Sequence, residues 1–301
     1  MTKSSLPAAL ARLVVYSFLV FLVVYAFKLS GKYRWDGYSY KAQKDNITIY
    51  SGLPKDETDR YLGACLLFRE YFDREILFQK NKKLTVYLFA DTAGYSAYCN
   101  KIGVNISEYG FYMKGRGVIT VNAENGMDTL FHEMVHYFID TGGYEMPYWT
   151  EEGIASFYEK FMGYYADETD YMITFGYFSP YRIKEVKDNR ARLGISSLNT
   201  NQSIAANFIM YLYQEGKLRK FLGIYFELKN DREAIAKTFG KDIKQVEKEW
   251  LEWFDGLSFD DDNVVFAHES RLFRSKAGFD DFLQKNRAVW DDVYKMYRVR
   301  Y

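Results

Sequence analysis

Phe131-His132-Glu133-Met134-Val135-His136, followed by Trp149-Thr150-Glu151-Glu152-Gly153-Ile154-Ala155, is the stretch on which the reading of this chain turns. Two histidines four residues apart sit one turn apart on the same face of an α-helix, so their imidazoles converge on one point. Glu133 is then held beside whatever that point binds. Two nitrogen ligands, an open position for water and a carboxylate to take its proton are what a zinc hydrolase needs. The chain has only three histidines, and chance places a pair at this spacing around a glutamate on the order of once in several hundred such sequences. Asn125, Gly126 and Asp128 supply a turn and an N-cap ahead of the helix, and Gly142-Gly143 supply a stop after it. Leu130, Phe131, Met134, Val135 and Phe138 predict a largely buried helix. Unpaired histidines and a glutamate are costly there, and a metal removes that cost. The competing reading is ordinary core or surface histidines that bind no metal.

Outward from this helix, composition sets bounds. With 301 residues the chain can form one large domain or two modest lobes around a real core. Forty basic and forty acidic side chains cancel, which leaves no electrostatic case for a nucleic-acid partner. The 28 Tyr and 24 Phe point to an aromatic-rich interior and to no particular activity. Cys65 falls in an apolar helical pattern and reads as a buried thiol, and with Cys99 it is far short of a disulfide framework or a zinc-binding spacing.

Residues 1–35 differ from the rest. Leu10 to Leu29 gives 20 residues bordered internally by Arg12 and Lys28, about 30 Å of helix, which predicts an uncleaved single-pass membrane anchor in preference to a signal peptide. The positive-inside count is a draw, and an export role places the remaining domain outside the cytoplasm. From Asn46 onward a mixed domain is expected: a strand at Ile47 to Tyr50, a helix from Asp56 to Phe78, a strand at Leu84 to Phe89, a helix at Ala93 to Ile102, and two strand-like runs between Gly110 and Asn122. A strand there could form an exposed sheet edge above the metal to which an extended peptide adds, or the two runs could be an ordinary hairpin. A helix follows from Glu151 to Phe161, then irregular loops with short helices from Gly163 to Thr200. Helices at Ile204 to Gln214, Leu218 to Leu228, Arg232 to Thr238 and Ile243 to Phe254 come next. Asp260, Asp261 and Asp262 read as a solvated linker, and Phe279 to Tyr297 as one amphipathic helix. The fold class is α+β: a small N-terminal mixed sheet with helices, the histidine helix, then an all-helical C-terminal lobe. The division is 1–35, 36–256 and 257–301.

His132-Glu133-x-x-His136 with Trp149-x-x-Glu152-Gly153-x-Ala155-Ser156-Phe157-x-Glu159 resembles the gluzincin metallopeptidases, kin of thermolysin and aminopeptidase N. Gln202 through Leu212 to Gly216, and Glu249-Trp250-Leu251, are similar to the tail of small bacterial peptidase-MA-like domains, so the resemblance spans Asn46 to Phe254. It implies a Zn2+ ion on His132, His136 and Glu152, with Glu133 as general base. Glu151 is a rival third ligand, and the E-G-x-A frame favours Glu152, with Ala155 leaving room for the histidine helix. For the second oxyanion donor, the family's tyrosine is matched here by Gln202, and Tyr211 and Tyr213 are nearby substitutes. His268 reads as a solvated side chain. No G-A-M-E-N-like exopeptidase segment precedes His132, which favours an endopeptidase acting on peptide or protein substrates at the membrane. The alternative is a non-catalytic protein of the same fold that binds a partner.

Overall fold

Leu84-Thr85-Val86-Tyr87-Leu88-Phe89 alternates aliphatic and aromatic side chains, and the sheet built around it has one face of each kind. The computed structural model describes residues 33–77, 82–104, 107–159 and 190–256, the backbone of strands at 164–167, 172–175, 269–272, 288–291 and 296–299, and the single positions 186, 277, 280, 281 and 284. Five strands, β1 (Tyr40–Lys44), β2 (Ile47–Ser51), β3 (Leu84–Phe89), β4 (Gly110–Met113) and β5 (Val118–Asn122), form a mixed sheet in the order β1-β2-β3-β5-β4. β2, β3 and β5 run parallel, and the outer strands β1 and β4 are antiparallel to their neighbours.

Helix α1 (Lys55–Glu75) and helix α3 (Asp128–Gly142) cover the aliphatic face. Phe68 and Phe72 of α1 meet Phe131 and Phe138 of α3 at ring separations of 5.1 and 5.0 Å. Helix α2 (Thr92–Ile102) covers the other face, where Tyr95 and Tyr98 pack on Phe89. Trp35 lies on the same ring at 4.2 Å, so residues 33–38 strap the aromatic side. Much of the high tyrosine and phenylalanine content is used in these two layers.

Beyond α3 come helices α4 (Tyr148–Tyr158), α5 (Gln202–Gln214), α6 (Leu218–Leu228), α7 (Asp231–Phe239) and α8 (Ile243–Asp255). The chain is thus α+β, with a mixed sheet first and a helical part after it. Trp149, buried, packs on Phe208 and Phe221 and donates its indole N–H to Asp231 at 3.0 Å, tying the first turn of α4 to the first turn of α7.

Three expectations are corrected. Among the described residues no helix is long and apolar enough to cross a membrane. The longest, α1, has the length but carries Lys55, Asp56, Glu57, Asp59, Arg60 and Arg69. That finding stands against the expected single-pass membrane protein with an extracytoplasmic domain, and the predicted span itself, Leu10 to Leu29, lies outside the described residues. The expected single helix from Phe279 to Tyr297 is helical at the described positions 280, 281 and 284, but its later part is replaced by two antiparallel strands, β9 (Ala288–Asp291) and β10 (Met296–Val299), whose mutual pairing outweighs the helical spacing. The segment from Gly163 to Thr200, expected to be irregular loops with short helices, has short 3-10 turns at Arg190–Arg192 and Ile195–Ser197 but also holds β6 (Tyr164–Asp167) and β7 (Met172–Phe175), joined by β8 (Glu269–Leu272) from far along the chain. His268 and Asp260 to Asp262 also lie outside the described residues.

Candidate metal centre

The metal helix α3 starts after a 3-10 turn at Ala123–Asn125 and Gly126, with Met127 as N-cap and Asp128 in the first turn, where its charge suits the helix N-terminus. It ends at Gly143 in the left-handed region, φ 75°, whose N–H returns to Ile139 and Asp140 carbonyls. Within it, spacing and helix period put His132 and His136 side by side, with ring centroids 5.1 Å apart.

α4 brings the third side chain. Glu152 Oε2 lies 3.6 Å from His132 Nε2, and its Oε1 lies 3.6 Å from His136 Nε2. Two ligand atoms each about 2.1 Å from a four-coordinate ion are about 3.4 Å apart, so these gaps fit a shared centre. Ligand atoms of all three residues fall within 4.8 Å of one another, the one such group of three or more among the described residues. The side chains are 17, 15 and 12% exposed, buried enough to lose most water and open enough to admit a reactant. His132, His136 and Glu152 could therefore hold a metal ion.

Glu151 is not in that group. It accepts a hydrogen bond from His136 Nδ1 at 2.8 Å. An ionised carboxylate only accepts, so the proton sits on Nδ1 and the Nε2 lone pair is left for the centre. Glu159, one residue past the end of α4, faces His132 Nδ1 at 3.6 Å, a longer charge contact that turns that ring the same way. Burial alone would lower the pKa of His132; the carboxylates of Glu152 and Glu159, with Glu133, overcome it and raise it to about 9. So many acidic groups around two imidazoles leave a cage that a divalent cation would balance.

Glu133 stands outside the ligand group, on the flank of α3 that faces β4. Its carboxyl is raised above its ordinary 4.5 by burial, against the pull of His132 and His136 and of the Tyr112 main-chain N–H that faces it. β4 is the outer strand of the sheet, and its Tyr109, Phe111 and Met113 positions pair with β5. By antiparallel alternation the N–H and C=O of Gly110 and Tyr112 point to the other edge. The sheet edge near the centre is thus β4, the first of the two runs.

The expected oxyanion donors are placed differently from one another. Gln202, at the start of α5, reaches the site, but its amide donates to Glu152 Oε2 at 2.8 Å and so supports the third carboxylate. Tyr211 is nine residues further on, about 13.5 Å along the helix. It is buried among Phe208, Phe239 and Trp253, and burial pushes its phenol up to about 12. Tyr213 packs on Phe157 and Tyr158. The structure therefore brings Gln202 to the centre and places both tyrosines in helix packing.

Ala155 is buried, but the closest helix approach falls two residues earlier and toward a different helix. A Cβ on Gly153 would lie 2.8 Å from Ile209 and 3.1 Å from the Ala205 main chain. α4 and α5 run in the same direction here, with Glu152 beside Gln202 and Phe157 beside Tyr213. The roles of Glu159 and Tyr112 escaped the sequence reading. Glu159 was already in the quoted motif, seven residues after Glu152 and so on the same helical face, a signal that could have found it. Tyr112 had no comparable signal.

The chain matches no protein-family model, and no curated protein matches it.

Proposed function

We propose that this chain is a zinc-dependent peptidase that cleaves within extended polypeptide segments. The observation that carries the reading is that both histidines turn Nε2 to Glu152, with carboxylates on each Nδ1, while a fourth glutamate, Glu133, stands beside the group and outside it. A purely structural site has no use for that spare carboxylate.

Two imidazoles and one carboxylate are the donor set of a catalytic zinc site with an open position, and zinc bound there acidifies a water and polarises the scissile carbonyl. His132, His136 and Glu152 would hold the ion, and Glu151, Glu159 and Gln202 keep those three side chains oriented. Glu133 takes the proton of the attacking water and passes it to the leaving amine nitrogen. Its buried, raised carboxyl suits a group that must both accept and return a proton. The substrate main chain adds along Gly110 and Tyr112 as a further strand. β4 carries no acidic side chain to fix a free amine, which favours cleavage inside a chain over removal of its first residue.

One observation favours the second reading, a non-catalytic protein binding a partner: the Gln202 amide is engaged with Glu152, and Tyr211 lies off the centre. Metal analysis of the purified chain, with cleavage of labelled casein by it and by Glu133→Gln, decides between them. Expected are one zinc per chain and turnover lower by about 10^3-fold in the variant, with zinc retained. Cleavage indifferent to Glu133→Gln rejects the mechanism. Iron in place of zinc, with oxygen consumption, would move the chain to the oxygenases that share this donor set.

A further inference from the structure

Thr129, Glu133, Tyr137 and Asp140 recur along one side of α3, the side that β4 crosses. Each meets the strand or its neighbours. The Thr129 methyl would be 2.6 Å from a Cβ on Gly110, so the strand approaches the helix closely there. The Tyr112 main-chain N–H faces Glu133. The Tyr112 ring stands edge-on to Tyr137 at 6.0 Å, and its hydroxyl donates to Asp140 Oδ2 at 2.6 Å. The same Asp140 oxygen accepts from the Gly115 N–H at 2.8 Å, in the left-handed turn that joins β4 to β5.

We infer that Asp140 and Tyr112 form a clamp that sets the position of the β4 edge over the metal centre, and that both are positioning residues for substrate. Tyr112 links both ends of this row: its main chain faces the base, and its side chain is fixed two helical turns further along α3. The β5 ladder holds one edge of β4 and leaves the strand free to swing about that edge. Asp140 supplies the missing restraint by holding both the strand and the turn beyond it. A phenylalanine at 112 would keep the ring contact with Tyr137, so packing alone gives the hydroxyl no purpose. Asp140 is kept ionised against its partial burial by Tyr112 and the Gly115 N–H, with Lys114 and Lys82 nearby. An ionised acceptor makes the stronger, directed bond. Displacements on the order of 1 Å in substrate-positioning groups cost up to about 100-fold in rate, which is the scale on which a swinging edge would act.

This inference rests on the peptidase reading, and its test separates the two. Tyr112→Phe, Asp140→Ala and the double variant are made in the full chain. Each is loaded with zinc and measured for casein cleavage, zinc affinity and hydrogen exchange of the Tyr112 amide. Expected for each single variant are a KM raised about ten-fold with kcat within about two-fold, faster exchange at Tyr112 and unchanged zinc affinity. The double variant should be no worse than Asp140→Ala, which already removes the bond lost in Tyr112→Phe together with the one from Gly115. A merely structural role would lower the active fraction, and so kcat, and leave KM alone. That outcome, unchanged exchange at Tyr112, or losses that multiply in the double variant would overturn the clamp. Should the unaltered chain with zinc leave casein intact, the peptidase reading fails, and exchange at Tyr112 across the three variants still decides whether the clamp exists.

Discussion

The two flanks of helix α3 are built on different rules. On the flank facing α4, His132 and His136 meet Glu152, and Glu151 and Glu159 stand behind them. Every one of these residues lies on two consecutive helices or one residue past their end, so helix period fixes most of the geometry. On the flank facing β4, Glu133 and Asp140 meet Tyr112 and Gly115 across 21 to 28 residues of chain and a sheet register. The first flank gathers groups that could hold an ion, by helix spacing. The second holds a strand by long-range pairing.

That contrast can be sharpened first on the ligand flank. Replacing Glu151 with Gln keeps the shape and removes the charged acceptor from His136 Nδ1. Zinc affinity should fall about 10- to 100-fold in competition with a chelator, while the fold and the β4 exchange pattern stay as they are. Unchanged affinity would mean that helix packing alone orients His136.

Next in size is Gly153→Ala. Helix propensity favours the change by about 1 kcal/mol, but the new methyl meets the Ala205 main chain at 3.1 Å and Ile209 at 2.8 Å, and main chain does not yield cheaply. A net loss of about 1 kcal/mol is expected, seen as a thermal midpoint lower by about 2–4 °C. Separation of Glu152 from Gln202 should also cost a few-fold in zinc affinity. A more stable variant with full zinc affinity would break the claim that α5 supports the ligand flank.

The local flank is also the one that could be read from residues alone. The H-E-x-x-H spacing, the E-G-x-A frame and the glycine stop at Gly143 need no knowledge of distant pairing, and they put three side chains at one point. The strand Leu84–Phe89 and the helix Leu218–Leu228 likewise have the bounds their patterns predict, because each buries a regular face. β1, Tyr-Lys-Ala-Gln-Lys, gave no signal: only Ala42 is buried, and the strand exists because β2 offers it a ladder. β6, β7 and β8 are four residues each, too short for a period to show. Tyr211 shows a different limit. Its helix was located correctly, but which face looks at the centre depends on how α5 lies on α4, and that is set at Gly153.

The smallest effect belongs to the clamp flank and appears only in acid. Burial pushes the Asp140 carboxyl up, and the bonds from Tyr112 and Gly115 outweigh it and hold the pKa below the ordinary 3.8. A depressed carboxyl stabilises the fold above its unfolded pKa, and the benefit is lost as pH falls from about 4 through the folded value. Asp140→Asn should therefore flatten the acid limb of the unfolding curve below about pH 4 and lower stability slightly at neutral pH. An acid limb identical to that of the unaltered chain would show that the carboxylate adds nothing to the hairpin.

Trp149 gives the ligand flank a tie of its own. Its indole is bolted to Asp231, at the root of the far helical layer, only three residues before Glu152. Those outer helices cannot tilt or slide without dragging the acidic ligand along, so a partner pressing on them would retune the grip on the ion from a distance.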